Sequence, residues 1–282
     1  MPKSKHRTKK ITLKTRREIQ KLSLMDNAFM NIVLEDNIPC VEEILRVILK
    51  KSDLLVKTVR TQKMFQGFER SICLDVYAED SKGTIYNIEI QLSDEGANPR
   101  RARFHSGMID VHSLKAGHDF KELPEVYVIF ITLNDVLGLG KAMYTIHRYI
   151  DEQLTPFDDG SHIIYINASA KDDGTEIWKL IHDFRCTEPE KMFFPRLAAR
   201  VKFFKEDEEG VDVMTNYFEE RQAKAVEKAV KKAEQKAAKE AAKEAAESFV
   251  LNLLNIGKLT MEEIAKCSGL TLRKVQTLAK TL

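Results

Sequence analysis

The stretch 71–91 constrains this chain more than any other. It reads as two segments of alternating apolar residues joined by a turn: Ser71-Ile72-Cys73-Leu74-Asp75-Val76-Tyr77-Ala78, then Glu79-Asp80-Ser81-Lys82-Gly83, then Thr84-Ile85-Tyr86-Asn87-Ile88-Glu89-Ile90-Gln91. β-Branched and aromatic residues on a period of two, around a turn containing Gly, predict a β-hairpin. If Asp80 pairs with Thr84 around a three-residue loop, Asp75 falls opposite Glu89. Residues directly opposed in this way carry Cβ atoms about 4.5–5.5 Å apart on one face. Asn87, Glu89 and Gln91 then share that face, while Ile88, Ile90 and Leu92 point the other way.

Two carboxylates so placed repel, and a buried pair must share a proton or bind a cation. Mg²⁺ takes oxygen ligands, typically one or two carboxylates completed by water and phosphate oxygens. Asp75, Glu89 and the backbone carbonyl of Ile90 therefore form a candidate set for Mg²⁺ or Mn²⁺. Such an ion polarises a phosphodiester and lowers the pKa of bound water. The same alternation also describes an ordinary half-solvated strand with both acids in water.

Around the hairpin the periodicity switches repeatedly. Phe29, Ile32, Val33, Val41, Ile44, Leu45, Ile48 and Leu49 recur at helical spacing over 26–50, broken at Asn37-Ile38-Pro39, which predicts two helices. Strands are expected over 54–61, 71–77, 84–92, 125–133 and 161–167, and helices over 175–184 and 189–206. The segment 99–117 reads as a helix with Phe104, Met108, Val111 and Leu114 on its apolar stripe. Helices interleaved with strands on this scale indicate an α/β (α+β) core spanning 22–218.

Among 282 residues, 45 Lys and Arg face 43 Asp and Glu, for a net charge of +2, but the charge is segregated. Residues 1–21 carry nine basic side chains, Lys9, Lys10, Arg16 and Arg17 among them, against Glu18 alone, leaving the remaining chain net acidic. A basic, flexible arm of this kind binds phosphates by releasing condensed counterions, or is simply a solvated tail. It lacks the apolar run of a signal peptide, and no stretch reaches the ~18 apolar residues of a membrane span, so a cytoplasmic protein without membrane contact is expected. With 43% hydrophobic and 31% charged residues the chain is neither collagen-like nor wholly disordered. Cys40, Cys73, Cys186 and Cys267 are too scattered for a disulfide framework or a zinc site.

Residues 219–247 are almost wholly Ala, Lys, Glu, Gln and Val, a long exposed helix whose thin stripe of Ala223, Val226, Val230, Ala233 and Ala237 suits a spacer or a weak seam between copies. Over 248–282, Gly257 and Gly269 punctuate three short amphipathic helices resembling a helix-turn-helix. Thr260 and Glu263 make a capping box for the second. The third carries Arg273 and Lys274, suited to DNA phosphates or bases, and residues 219–282 together offer a homo-oligomer contact.

Asp75 followed fourteen residues later by Glu89-x-Gln91, within an αβββαβ order, resembles the PD-(D/E)xK nuclease superfamily, and specifically its recombination-promoting nuclease and transposase group. The resemblance covers about 26 to 220. It includes Asp26-x-x-Phe29, Leu74-Asp75-Val76, Ile88-Glu89-Ile90-Gln91, Arg100-Arg101-Ala102-Arg103-Phe104-His105-Ser106 and Leu123-Pro124-Glu125-Val126-Tyr127-Val128-Ile129-Phe130. It implies a restriction-endonuclease-like fold and metal-dependent DNA endonuclease activity. Asp75 and Glu89 would be metal ligands, Asp26 their support, and Gln91 would stand where lysine is usual. Gln91 offers only amide hydrogen bonds in place of a charge. Arg100 and Arg103, neighbours on one helical face with His105 nearby, are then positioned to reach a phosphate. The rival reading is a catalytically degenerate, transposon-derived protein that binds DNA or oligomerises.

Overall fold

Residues 126–132, Val-Tyr-Val-Ile-Phe-Ile-Thr, are buried at every position, which requires a strand covered on both faces. The computed structural model, which describes residues 13–280 and 282, places this strand inside a mixed sheet. Helices α1 (Leu13–Lys21), α2 (Asn27–Leu34) and α3 (Ile38–Leu49) precede strands β1 (Val56–Phe65), β2 (Ile72–Asp80) and β3 (Ile85–Gln91); α4 (Pro99–Ser113) and β4 (Val126–Thr132) follow. A short excursion, β5 (Met143–Ile146), β6 (Tyr149–Ile150) and β7 (Thr155–Pro156), leads to β8 (Ser161–Asn167), α5 (Glu176–Arg185) and α6 (Pro195–Glu206). The six-stranded sheet runs β1-β2-β3-β4-β8-β5, with β3, β4 and β8 parallel and the other pairings antiparallel. This is the mixed α/β architecture expected, with the αβββαβ order carried by α3 through β4.

Val126, Val128 and Phe130 of β4 pack with Ala102 and Ile109 of α4. The alternate residues Tyr127, Ile129 and Ile131 are equally buried on the opposite face. Each such side chain contributes about 1.5–3 kcal/mol on leaving water. Capping fixes where the helices begin: Asn37 accepts from Cys40 N at 3.1 Å with Pro39 in the first turn of α3, and Asn98 accepts from Arg100 N at 2.8 Å with Pro99 opening α4.

Three sequence expectations change. The α4 stripe is rotated: Phe104 and Val111 are exposed, and the inward face is Ala102, His105, Ser106, Met108 and Ile109. The apolar count alone misplaced that face because α4 turns polar residues toward the sheet. Residues 13–21 are helical, with Ile19 fully buried, so that part of the expected arm belongs to the core. Gln20 Nε2 donates to Lys205 O at 2.9 Å, while the buried Lys205 ammonium donates to the carbonyls of Gln20, Leu22 and Thr187 at 3.0, 2.5 and 2.6 Å. The excursion β5–β7 carried no strand signal because its strands are two to four residues long.

The chain divides into two compact units, Met1–Thr215 and Asn216–Leu282. Helix α7 (Glu208–Ile256) contains the whole 219–247 segment, exposed at almost every described side chain. Within the second unit, α8 (Met261–Ser268) and α9 (Leu272–Ala279) pack with the end of α7 around Val250, Ile264, Val275 and Leu278. The Thr260–Glu263 capping box is formed, and Gly269 takes the left-handed conformation (φ 69°) that ends α8. Among the described residues no helix is long and apolar enough to cross a membrane.

Candidate active site

The β2–β3 hairpin has the register that its turn predicts, Val76 opposite Ile88 and Glu79 opposite Ile85. The ladder stops at Val76 and Ile88, one residue short of the two acids. Asp75 N donates instead to Glu89 Oε1 at 3.1 Å, and Ile90 N donates to Asp75 Oδ2 at 3.2 Å. Gln91 O accepts from Leu133 N beyond β4, so alternation along the strand turns the Ile90 carbonyl, like its N–H, toward β2. The structure thus brings Asp75, Glu89 and the Ile90 backbone together where two strands part.

Asp75 and Glu89 do not simply share one face. Gln62, opposite Asp75, has φ 52° and is left out of the β1–β2 ladder between Thr61 and Lys63. Leu74 and Tyr77 fall in the same core cluster although three residues apart, so strict alternation breaks at this kink. Asp75 consequently meets Asn27 of α2 and Gln62, whose Nε2 donates to Oδ1 at 3.3 Å. Glu89, wholly buried, meets α4: Arg101 Nη2 donates to its Oε2 at 3.1 Å, and His105 Nδ1 lies 3.6 Å from Oε1. Arg101 also donates through Nη1 to Gln91 Oε1 (3.4 Å) and Gly96 O (3.1 Å), and through Nε to His105 Nε2 (3.3 Å).

Burial sets the electrostatics. It pushes the Glu89 carboxyl up to about 8, helped by the charge of Asp75 and opposed by the Asp75 backbone N–H and Arg101. Asp75 is raised by burial as well, against the donors Asn27, Ile90 N and Gln62. Burial, with Arg101 and Arg70 nearby, drives His105 down to about 4, so its imidazole is neutral at physiological pH. Arginine has only donors, so Nε2 accepts and the ring proton resides on Nδ1. The Asn87 amide, a hydrogen-bond donor to the Glu89 carboxylate, lies 3.0 Å from Nδ1.

A cleft of about 750 Å³ opens beside these groups, lined by Arg70, Cys73, Asn98, Arg100, Arg101 and His105 among others. Of the two arginines expected to face a phosphate, Arg100 lines this cleft and Arg103 lies exposed outside it, while Arg101 between them enters the site. The phase of α4 decides this, since Arg101 and His105 stand one turn apart on its inward side. Arg101, Asn27, Gln62 and Gly96 were not singled out in the sequence. The i,i+4 spacing of Arg101 and His105, phased by Ala102 and Ile109, was the available signal for the first.

The remaining expected residues lie elsewhere. Asp26 occupies the N-cap position of α2, partly exposed, and its carboxylate accepts from Ser23 N at 3.2 Å; the neighbouring Asn27 is the α2 residue that bonds Asp75. Arg16 and Arg17 are exposed on α1, and Lys9 and Lys10 lie outside the described residues. On α9, Arg273 is exposed, whereas Lys274 is held by Glu247 at 2.9 Å.

The donor set suits a hard cation, being two carboxylates and a carbonyl with no nitrogen or sulfur among them. Among the described residues no group of three or more His, Cys, Asp or Glu is placed to hold an ion alone, so water and phosphate oxygens would complete such a shell. No curated protein and no solved structure matches the chain. A sequence profile of the PD-(D/E)XK nuclease family transposases matches residues 23–255, which takes in the hairpin, the cleft and most of α7. With a kinked hairpin presenting Asp75 and Glu89-x-Gln91 inside that span, the chain belongs to the PD-(D/E)XK nuclease family of transposases.

Proposed function

We propose that this protein is a divalent-metal-dependent endonuclease that hydrolyses phosphodiester bonds of DNA, in the setting of recombination or a mobile element. The observation that carries the reading is the buried Asp75–Glu89 pair, set where the β2–β3 ladder opens and adjoining a cleft lined by Arg70, Arg100 and Arg101. Asp75, Glu89 and the Ile90 carbonyl would hold Mg²⁺ or Mn²⁺, which when bound offsets charge on the scissile phosphate and acidifies the attacking water. Arg70 and Arg100 draw the polyanionic backbone into the cleft. His105, neutral and hydrogen-bonded to Arg101, is an orienting group rather than an acid or base at physiological pH. Arg16 and Arg17 of α1, and separately Arg273 in the second unit, are exposed and available to DNA.

The test is incubation of the purified chain with supercoiled plasmid and Mg²⁺ or Mn²⁺. Nicking that EDTA and Asp75→Ala abolish is the expected result. No nicking with either ion, or nicking indifferent to both interventions, rejects the proposal.

A further inference from the structure

Gln91 leaves the site without a cation on its own strand, yet a cation is present one element away. The Arg101 guanidinium contacts the metal-ligand candidate Glu89 at Oε2 (3.1 Å) and the Gln91 amide at Oε1 (3.4 Å), and it is itself braced by Gly96 O and His105 Nε2. Because arginine cannot accept a hydrogen bond, the amide oxygen must be the end of Gln91 that faces it. The two amide hydrogens are then free to point away from the guanidinium.

Gly96 makes this arrangement possible. A Cβ at position 96 would lie 2.0 Å from Gln91 Oε1, so the loop between β3 and α4 cups the amide only because it carries no side chain there.

We propose that Arg101 is the positioning residue that replaces the lysine missing at position 91, by setting a positive charge beside Glu89 and by orienting Gln91 as a donor toward the attacked phosphate or its water. The proposal rests on the nuclease reading above. Two features distinguish it from a plain structural contact. Arg101 is more than a third exposed, at 38%, so it is not needed to fill the core, and all of its hydrogen-bond partners belong to the site or to the loop that cups it.

The experiment has two arms. The first measures Mn²⁺ binding by calorimetry, with the metal alone as probe. Removing a neighbouring positive charge in Arg101→Ala tightens Mn²⁺ by about tenfold. The second arm measures plasmid cleavage. Arg101→Ala lowers kcat by about 10–100-fold with KM for DNA nearly unchanged, and Gln91→Lys in the Arg101→Ala background restores much of it, while Gln91→Lys alone gives no gain.

Weaker or unchanged Mn²⁺ binding in Arg101→Ala, or a loss confined to KM, or no rescue by Gln91→Lys, overturns the proposal. Should the wild-type chain fail to nick DNA at all, the nuclease reading falls, and the Mn²⁺ arm alone still decides whether Arg101 tunes the carboxylates. Arg101→Lys, which keeps the charge, guards against a folding artefact: it should retain the wild-type melting temperature and a Mn²⁺ affinity near the wild-type value.

Discussion

Asp75 and Glu89 hold each other through backbone: the N–H of Asp75 donates to the Glu89 carboxylate, and the Asp75 carboxylate accepts the N–H of Ile90, the residue after Glu89. Side chains thus take over the cross-strand bonding where the β2–β3 ladder ends. The acids that would hold an ion also close the hairpin, so their removal has structural as well as chemical consequences.

Metal-free stability should fall as pH rises. Glu89 is raised in the folded state, so between the ordinary carboxylate range, near 4.5, and about 8 the folded chain retains a proton that the unfolded chain has lost. Stability is therefore fully present below that range and is lost progressively toward pH 8. Urea melts at pH 5 and pH 8 should show this loss, and Glu89→Gln should flatten it; a wild-type curve that rises over this window contradicts the assignment.

Gly96→Ala should impair cleavage without unfolding the protein. The new methyl group meets only the movable end of Gln91, and Gly96 is not in the left-handed conformation, so the backbone tolerates alanine. A cleavage rate reduced by about tenfold at an unchanged melting temperature is expected. Wild-type cleavage by this variant would show that Gln91 has no need of its present position.

Lys205→Met should cost about 3 kcal/mol, because it leaves three part-buried carbonyls, those of Gln20, Leu22 and Thr187, without their shared donor. The damage should centre on the attachment of α1. Limited proteolysis would then cut near residues 13–23 well before the sheet.

Salt dependence separates the basic groups that meet DNA from those that do not. Arg70→Ala and Arg100→Ala, in the cleft, should each flatten the slope of log K against log salt by about 0.9 per lost phosphate contact. Arg103→Ala, outside it, should leave the slope alone. Deleting residues 1–12, which carry Lys3, Lys5, Arg7, Lys9 and Lys10, should flatten it further while sparing the buried Ile19. An unchanged slope in that truncation rejects a DNA-binding role for the segment.

Sequence and structure agree best where local rules decide the outcome. The Asp80–Gly83 turn set the hairpin register, and with it the nearness of Asp75 to Glu89, because side-chain alternation and loop length leave few alternatives. The kink at Gln62 was not legible, since a positive φ at a glutamine is imposed by the surrounding fold rather than by propensity. Three arginines in four residues carry no phase of their own, so the sequence does not set Arg101 apart from Arg100 and Arg103. Only the burial of Ala102, His105 and Ile109 against the sheet shows which of them turns inward. Asp26 illustrates the same limit by one residue, its neighbour Asn27 being the side chain that reaches Asp75.

The Lys205 ammonium links positions 20 and 205, 185 residues apart. A chain emerging from the ribosome at about 5–20 residues per second therefore exposes its basic beginning for roughly 10–40 s before the group that fastens it has been made. During that interval nine cationic side chains precede a mixed-sheet core whose α6 is still missing. Any polyanion that the nascent segment meets is encountered before the chain has a finished fold.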